Sequence, residues 1–225
     1  MPGEGETRDP DRHDRRPRRS RALDRDRLRT LAAEEYARFG ALLRELSPDD
    51  WSRQTDCDRW DVADLLRHVV GAMHGNASFR ELAHQMRAER KEADPVQIDR
   101  LGVVQVRDRA SRSVDQLLDR YDELAPRAVR RRFGMPAPIR RVKIPVELPS
   151  LQEKWTLGFL LDVIYTRDTW MHRVDVCSCH RSASRFSTPD HDGVLVADVV
   201  AEWARRHGQP VELTLTGPAG SLPLR

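Results

Sequence analysis

Thr166-Arg167-Asp168-Thr169-Trp170-Met171-His172-Arg173-Val174-Asp175 is the stretch on which the reading of this chain turns. On a helix, residues four apart stand on one face with Cβ atoms roughly 5–6 Å apart, so Asp168 and His172 are near enough to share one metal ion. The same spacing serves a simple ion pair, and the motif alone leaves both open. Leu157, Leu160, Leu161, Ile164 and Trp170 supply an apolar surface that predicts a helix over 152–176 as the host of the pair. Asp168 and His172 interrupt its inward side, and an inward carboxylate needs a partner because burial without one is costly.

Working outward, three more amphipathic helices are expected. Over 24–46, Leu28, Leu31, Ala32, Tyr36, Phe39, Leu42, Leu43 and Leu46 recur at three and four, the period of a helix with one buried face. Ser47-Pro48 ends it, since the residue before proline is pushed out of helical geometry. The loop from Trp51 to Trp60 carries two large aromatics, read as lids on the end of a bundle. Asp61 is placed to cap a second helix over 62–90, with Asp64 favourable near its dipole. His68 lies inside the apolar neighbourhood of that helix, and Gly71 and Gly75 follow on nearly the same face. Glycine costs about 1 kcal/mol there relative to alanine, which suggests that something needs the space. A third helix fits 101–124, with Pro126 just past its end. Arg127 to Lys143 then reads as a connector with seven basic residues and no acidic one; a long connector of this kind is often functional. Rimming the site, it would attract an anionic substrate; otherwise it is a solvated basic loop.

Beyond Cys179 the pattern changes. A polar connector leads to a fifth helix over 191–206, and Val211 to Thr216 alternates like a strand before a turn at Gly217-Pro218-Ala219-Gly220. Cys177-Ser178-Cys179-His180 lacks the spacing of a structural zinc site and is not taken as one. Three cysteines are too few for a disulfide framework and read as free thiols.

Charge and hydropathy exclude other classes. Of 225 residues, Met1 to Arg29 holds ten Arg against seven Asp or Glu, so the net charge of +3 resides entirely in that stretch. The remainder is neutral in balance and is not a basic nucleic-acid-binding body. Residues 1–22, nearly devoid of large apolar side chains, are expected to be a disordered charged tail. No apolar run approaches the ~18 residues of a membrane span, and no apolar stretch near the start resembles a secretory signal. The expected location is cytoplasmic.

Taken together, Trp51, Thr55, Cys57, Trp60, Val62, Asp64-Leu65-Leu66, His68 and Gly71, then Arg167-Asp168, Trp170 and His172-Arg173-Val174-Asp175, then His191-Asp192-Gly193, Glu202-Trp203-Ala204 and Leu213 to Gly220 are similar to the actinobacterial maleylpyruvate isomerase family of the DinB superfamily. The resemblance implies a mainly α protein. Its DinB-like four-helix bundle would occupy 23–180, followed by a small α/β segment over 181–225 that reads as a shortened form of the family's C-terminal domain. It also implies one divalent metal, usually zinc, held by His68, Asp168 and His172, with mycothiol, a small thiol, as cofactor. Asp168 replaces a glutamate of the isomerase, and its side chain, one methylene shorter, would draw the metal toward the fourth helix.

Two imidazoles and a carboxylate leave a fourth coordination position open, as catalytic zinc sites do, and a thiol entering it would lose its proton. The expected activity is therefore thiol-dependent isomerisation or S-transfer. The alternative is a non-enzymatic, metal-stabilised binding or sensing module. Asp64 and Asp175 are candidates to orient the two imidazoles.

Overall fold

The computed structural model describes residues 23–93, 97–148, 151–179, 186–209, 213–214 and 223–224. The charged tail, His180 and the turn at 217–220 lie outside the described residues. Helix α1, Arg25–Leu43, starts where the Asp24 carboxylate accepts from the backbone N–H of Arg27 at 2.8 Å. Helix α2, Val62–Ala77, starts the same way, with Asp61 accepting from the N–H of Asp64, as its sequence predicts.

The expected helix over 62–90 is broken at Ser78. This residue takes an extended conformation and its hydroxyl caps α3, Phe79–Glu89, by accepting from the N–H of Glu81. A serine three residues before a glutamate is a start signal strong enough to restart the helix in a new direction. The expected third helix is likewise two, α4 at Gln97–Arg107 and α5 at Val114–Gly134. Ser113 and Gln116 form a reciprocal capping box at the start of α5. Pro126 sits inside α5 rather than beyond it. The buried stripe of Leu117, Tyr121, Leu124, Ala128 and Phe133 runs through the proline, so burial on both sides outweighs the one backbone bond that proline cannot make.

The first half of the basic connector is therefore the end of α5, followed by the short helix α6, Ala137–Arg140, and strand β1, Lys143–Leu148. The expected fourth helix begins later than its sequence suggested. Leu151–Thr156 is strand β2, antiparallel to β1 with Lys143 opposite Thr156 and Leu148 opposite Leu151. Only then come α7, Leu157–Phe159, a π-helical turn at Leu160–Ile164, and α8, Tyr165–Cys179. Helix α9, Asp192–His207, ends at Gly208 in the left-handed conformation, and Leu213–Thr214 (β3) finds an antiparallel partner in Pro223–Leu224 (β4).

Helices α1, α2, α5 and α8 form the four-helix bundle, each packed on two of the others, with α3 and α4 laid against α2. Phe39, Leu42, Leu65, Leu66, Val69, Met73, Leu117, Tyr121 and Leu124 make its core. No helix among the described residues is long and apolar enough to cross a membrane.

Buried polar groups hold the bundle in register. Arg132, from the supposed connector, is only 1% exposed. Its guanidinium donates to the Leu161 carbonyl at 2.5 Å, to the Thr166 hydroxyl at 2.7 Å and to the Tyr36 hydroxyl at 3.2 Å. The π-helical turn displaces carbonyls from the regular ladder, and the one at Leu161 is thus satisfied by α5. Between α1, α8 and α9, Arg173 donates to both carboxylate oxygens of Glu35, at 2.7 and 3.0 Å, and to Asp192 at 2.7 Å.

Gly71 and Gly75 do make space, but not for a metal. A Cβ on Gly71 would lie 2.6 Å from Cβ of Gln105, and one on Gly75 would press on the Gln85 amide. These glutamines bond one another at 2.9 Å, and Gln85 donates to the Gly71 carbonyl. Gly71→Ala is expected to destabilise by about 1–3 kcal/mol despite its better helix propensity, because the clash is with the root of Gln105 and not with a flexible tip. Urea denaturation measures it, and an unchanged or raised midpoint would contradict the packing account.

Candidate metal centre

His68 comes from α2, two turns after the Asp61 cap, and Asp168 and His172 come from adjacent turns of α8. The structure brings the three together. Asp168 lies between the rings, with Oδ2 3.4 Å from Nε2 of His68 and Oδ1 3.5 Å from Nε2 of His172. One ligand atom from each residue falls within 4.8 Å of the other two. Ligands around a tetrahedral cation with bonds of about 2.1 Å stand about 3.4 Å apart, so both carboxylate distances suit a shared ion.

The two rings differ in how they are held. Nδ1 of His172 lies 3.2 Å from Oδ2 of Asp175, a contact that fixes its Nε2 toward Asp168. Both nitrogens of His68 are buried without a hydrogen-bond partner, its approach to Asp168 being close but not aligned as a hydrogen bond. Its ring is positioned by stacking: Trp60 lies 4.9 Å away, 29° from parallel, and His172 meets it edge-on at 4.8 Å. Trp60 thus stacks on His68 as well as packing, with Trp51, against the bundle core. Gly102 of α4 makes room for it, since a Cβ there would come within 2.6 Å of the indole. Asp64, expected beside His68, instead pairs with Arg67 at 2.7 Å.

Burial opposes ionisation of Asp168, yet His172 and then His68 hold its carboxyl well below the usual carboxylate range. A third of its side chain remains exposed, so it is less desolvated than the rings. Burial likewise opposes charging His172, but Asp168 and Asp175 outweigh it and push its pKa up to about 9. Without a cation the pair is a charged one, and a metal must displace that proton. Two of the three thiols, Cys177 and Cys179, are poor nucleophiles at neutral pH. Burial raises Cys177 to about 11, and it also raises Cys179, whose Sγ donates to the Gln54 and Asp175 carbonyls.

Beside the triad lies a cavity of about 170 Å³, with His68 and Asp168 at one end and Leu101, Gly102, Gln105, Trp155, Leu160, Ile164 and Tyr165 among its walls. None of the seven basic residues of 127–143 lines it. Arg132 is buried in the bundle, Arg140 grips Asp162, Arg127 pairs with Glu123, and Arg131 lies over the Phe79 ring. Of the two readings the sequence left open for this stretch, the basic rim is not formed at this cavity. The residues that sequence reasoning missed, Trp60 and Gly102, bear on the site only through contacts between α4, the loop and α2.

A family model described as the mycothiol maleylpyruvate isomerase N-terminal domain matches residues 32–177. Among solved structures, the crystal structure of the mycothiol-dependent maleylpyruvate isomerase is similar at 13% identity and TM-score 0.48, covering 68% of this chain and 61% of that one. A histidine-to-alanine mutant of that enzyme matches at 12% identity with the same TM-score and coverage. The chain therefore spans about 61% of the length of the solved structures it matches. No curated protein matches.

Proposed function

Since the chain belongs to the mycothiol maleylpyruvate isomerase N-terminal domain family, we propose that it is a divalent-metal enzyme, zinc being the metal, that uses mycothiol in isomerase or S-transfer chemistry. One observation carries the metal part of this reading. His68 buries two nitrogens with no hydrogen-bond partner beside a carboxylate and a second imidazole, and a cation would take its Nε2 together with Asp168 and His172.

His68, Asp168 and His172 would hold the ion. When bound, it would supply positive charge that favours the thiolate form of a thiol at neutral pH. The rest of the work falls to the chain. Trp60 keeps the His68 ring from turning away, and Asp175 accepts from Nδ1 of His172 so that Nε2 faces the site. Trp155, Leu160 and Ile164 give the neighbouring cavity an apolar lining. Cys177 and Cys179, held protonated by burial, do not serve as the nucleophile.

Metal analysis of protein purified without chelators tests this. The wild type is expected to contain about one equivalent of divalent metal and His172→Ala far less; negligible metal in both would sink the site. In a second arm, saturating mycothiol is expected to raise Tm of the zinc-loaded wild type. At a hundredfold excess over Kd the stabilisation is about 2.7 kcal/mol, roughly 5–10 °C for a chain of this size. A Tm unmoved by mycothiol would identify a metal-stabilised module instead of an enzyme.

A further inference from the structure

We propose that the substrate of this site is an uncharged, largely apolar molecule of about benzene's size, seated between the β1–β2 hairpin, the start of α4 and the π-helical turn. The proposal takes its chemistry from the metal reading above, but the cavity it rests on stands without the metal. Leu101, Ile144, Val146, Trp155, Leu160 and Ile164 form an almost continuous apolar wall, drawn from three separate parts of the fold. The space of about 170 Å³ is partly open to solvent, and in size alone it matches an engineered apolar cavity of about 150 Å³ that binds benzene.

Charge points the same way. Apart from the triad residues, the ionisable groups on the wall are the Tyr165 phenol and Glu89, whose charge is answered from behind the wall by Arg100 at 3.9 Å; among the described residues no lysine or arginine lines the cavity itself. A cation held by the triad could meet one anionic group of a ligand at the His68 and Asp168 end. A second carboxylate would lie against aliphatic side chains and beside the Glu89 carboxylate, with no cation on the lining to pair with it, which disfavours it. The cations that sequence alone would have offered it are engaged elsewhere in the bundle, Arg132 with the Leu161 carbonyl and Arg140 with Asp162. An apolar body gains by transfer from water into the same space.

The test is a ¹⁹F NMR titration of the full chain, zinc-loaded and metal-free, with fluorobenzene and with 2-fluorofumarate, a dicarboxylate of comparable size. Fluorobenzene is expected to bind saturably in both forms, and 2-fluorofumarate at least about tenfold more weakly, since tenfold corresponds to a small part of the cost of burying a lone carboxylate. Ile144→Lys places a cation on the wall from a hairpin strand outside the bundle core. It is expected to weaken fluorobenzene and strengthen 2-fluorofumarate, with circular dichroism checking the fold. Fluorobenzene failing to saturate, 2-fluorofumarate binding as tightly, or both affinities unmoved by a folded Ile144→Lys would each overturn the proposal. Protein that takes up fluorobenzene but no zinc sinks the metal reading alone, whereas zinc uptake without fluorobenzene binding sinks this one alone.

Discussion

Arg173→Met is expected to lower the stability of the protein by about 3–5 kcal/mol, the cost of removing one partner from a buried ion pair. At roughly 2–4 °C per kcal/mol for a chain of this length, Tm falls by about 6–20 °C. Arg173 and Glu35 are 0% and 1% exposed at their side chains, so water cannot replace what the substitution removes. The guanidinium meets Glu35 twice, Asp192 once and the Phe186 carbonyl at 2.6 Å. Without it two carboxylates face one another in the bundle wall, although His191 still reaches Glu35 at 2.8 Å and Trp170 still donates to Asp192 at 2.9 Å.

The same network sets a pH dependence. Burial favours the protonated form of Asp192, but Arg173, the Thr188 N–H and Trp170 together hold its carboxyl below the usual range. A depressed folded-state value means that the stabilisation is present above the unfolded carboxylate's value of about 3.9 and is lost as pH falls through the lower folded value. Wild-type Tm should therefore drop on acidification below about pH 4, and Arg173→Met should lose part of that slope. Calorimetry across pH measures both. A Tm for Arg173→Met within 2 °C of wild type would show that Arg173 is not the tie between α1, α8 and α9.

How much of this was legible in the sequence depended on whether the interaction was local. Asp168 and His172 share one helix, so their spacing announced a pair before any fold was known. The cap at Asp61 was equally local, whereas α1 ends at Leu43, short of the expected stop at Ser47-Pro48. His68 joins the pair only because α2 packs on α8, and its place came from the family resemblance, not from periodicity. Glu35 reads as one more polar residue between Ala32 and Tyr36, and its value lies in an arginine 138 positions away. The connector was misread for a related reason. A run of arginines resembles a solvated loop, yet Arg132 is buried because a carbonyl released by the π-helical turn needs a donor. Ile144, Val146 and Trp155 form strands only because each supplies the other's partner, and Pro145 is tolerated because a two-stranded hairpin has edges on both sides. Gly102 was invisible until the indole it accommodates was placed.

Asp175→Asn is expected to weaken zinc binding by about 10–100-fold, the usual effect of altering a group that orients a metal-ligating histidine, while changing Tm of the metal-free protein little. The argument is geometric. His172 must present Nε2 toward Asp168, and the 3.2 Å contact from Nδ1 to Asp175 selects that orientation and that tautomer. An asparagine in the same place can rotate to offer its amide nitrogen, a donor, where the ring needs an acceptor. Asp64→Asn is the matched control. Asp64 also lies one turn from a proposed ligand in sequence, but it pairs with Arg67 and makes no hydrogen bond to His68, so its substitution should leave zinc affinity within about twofold of wild type, well short of the outer-sphere effect. Competition titration with a chromogenic chelator reads both variants. Equal losses would mean that helix-start electrostatics, not orientation of His172, governs the site; no loss in either would remove Asp175 from it.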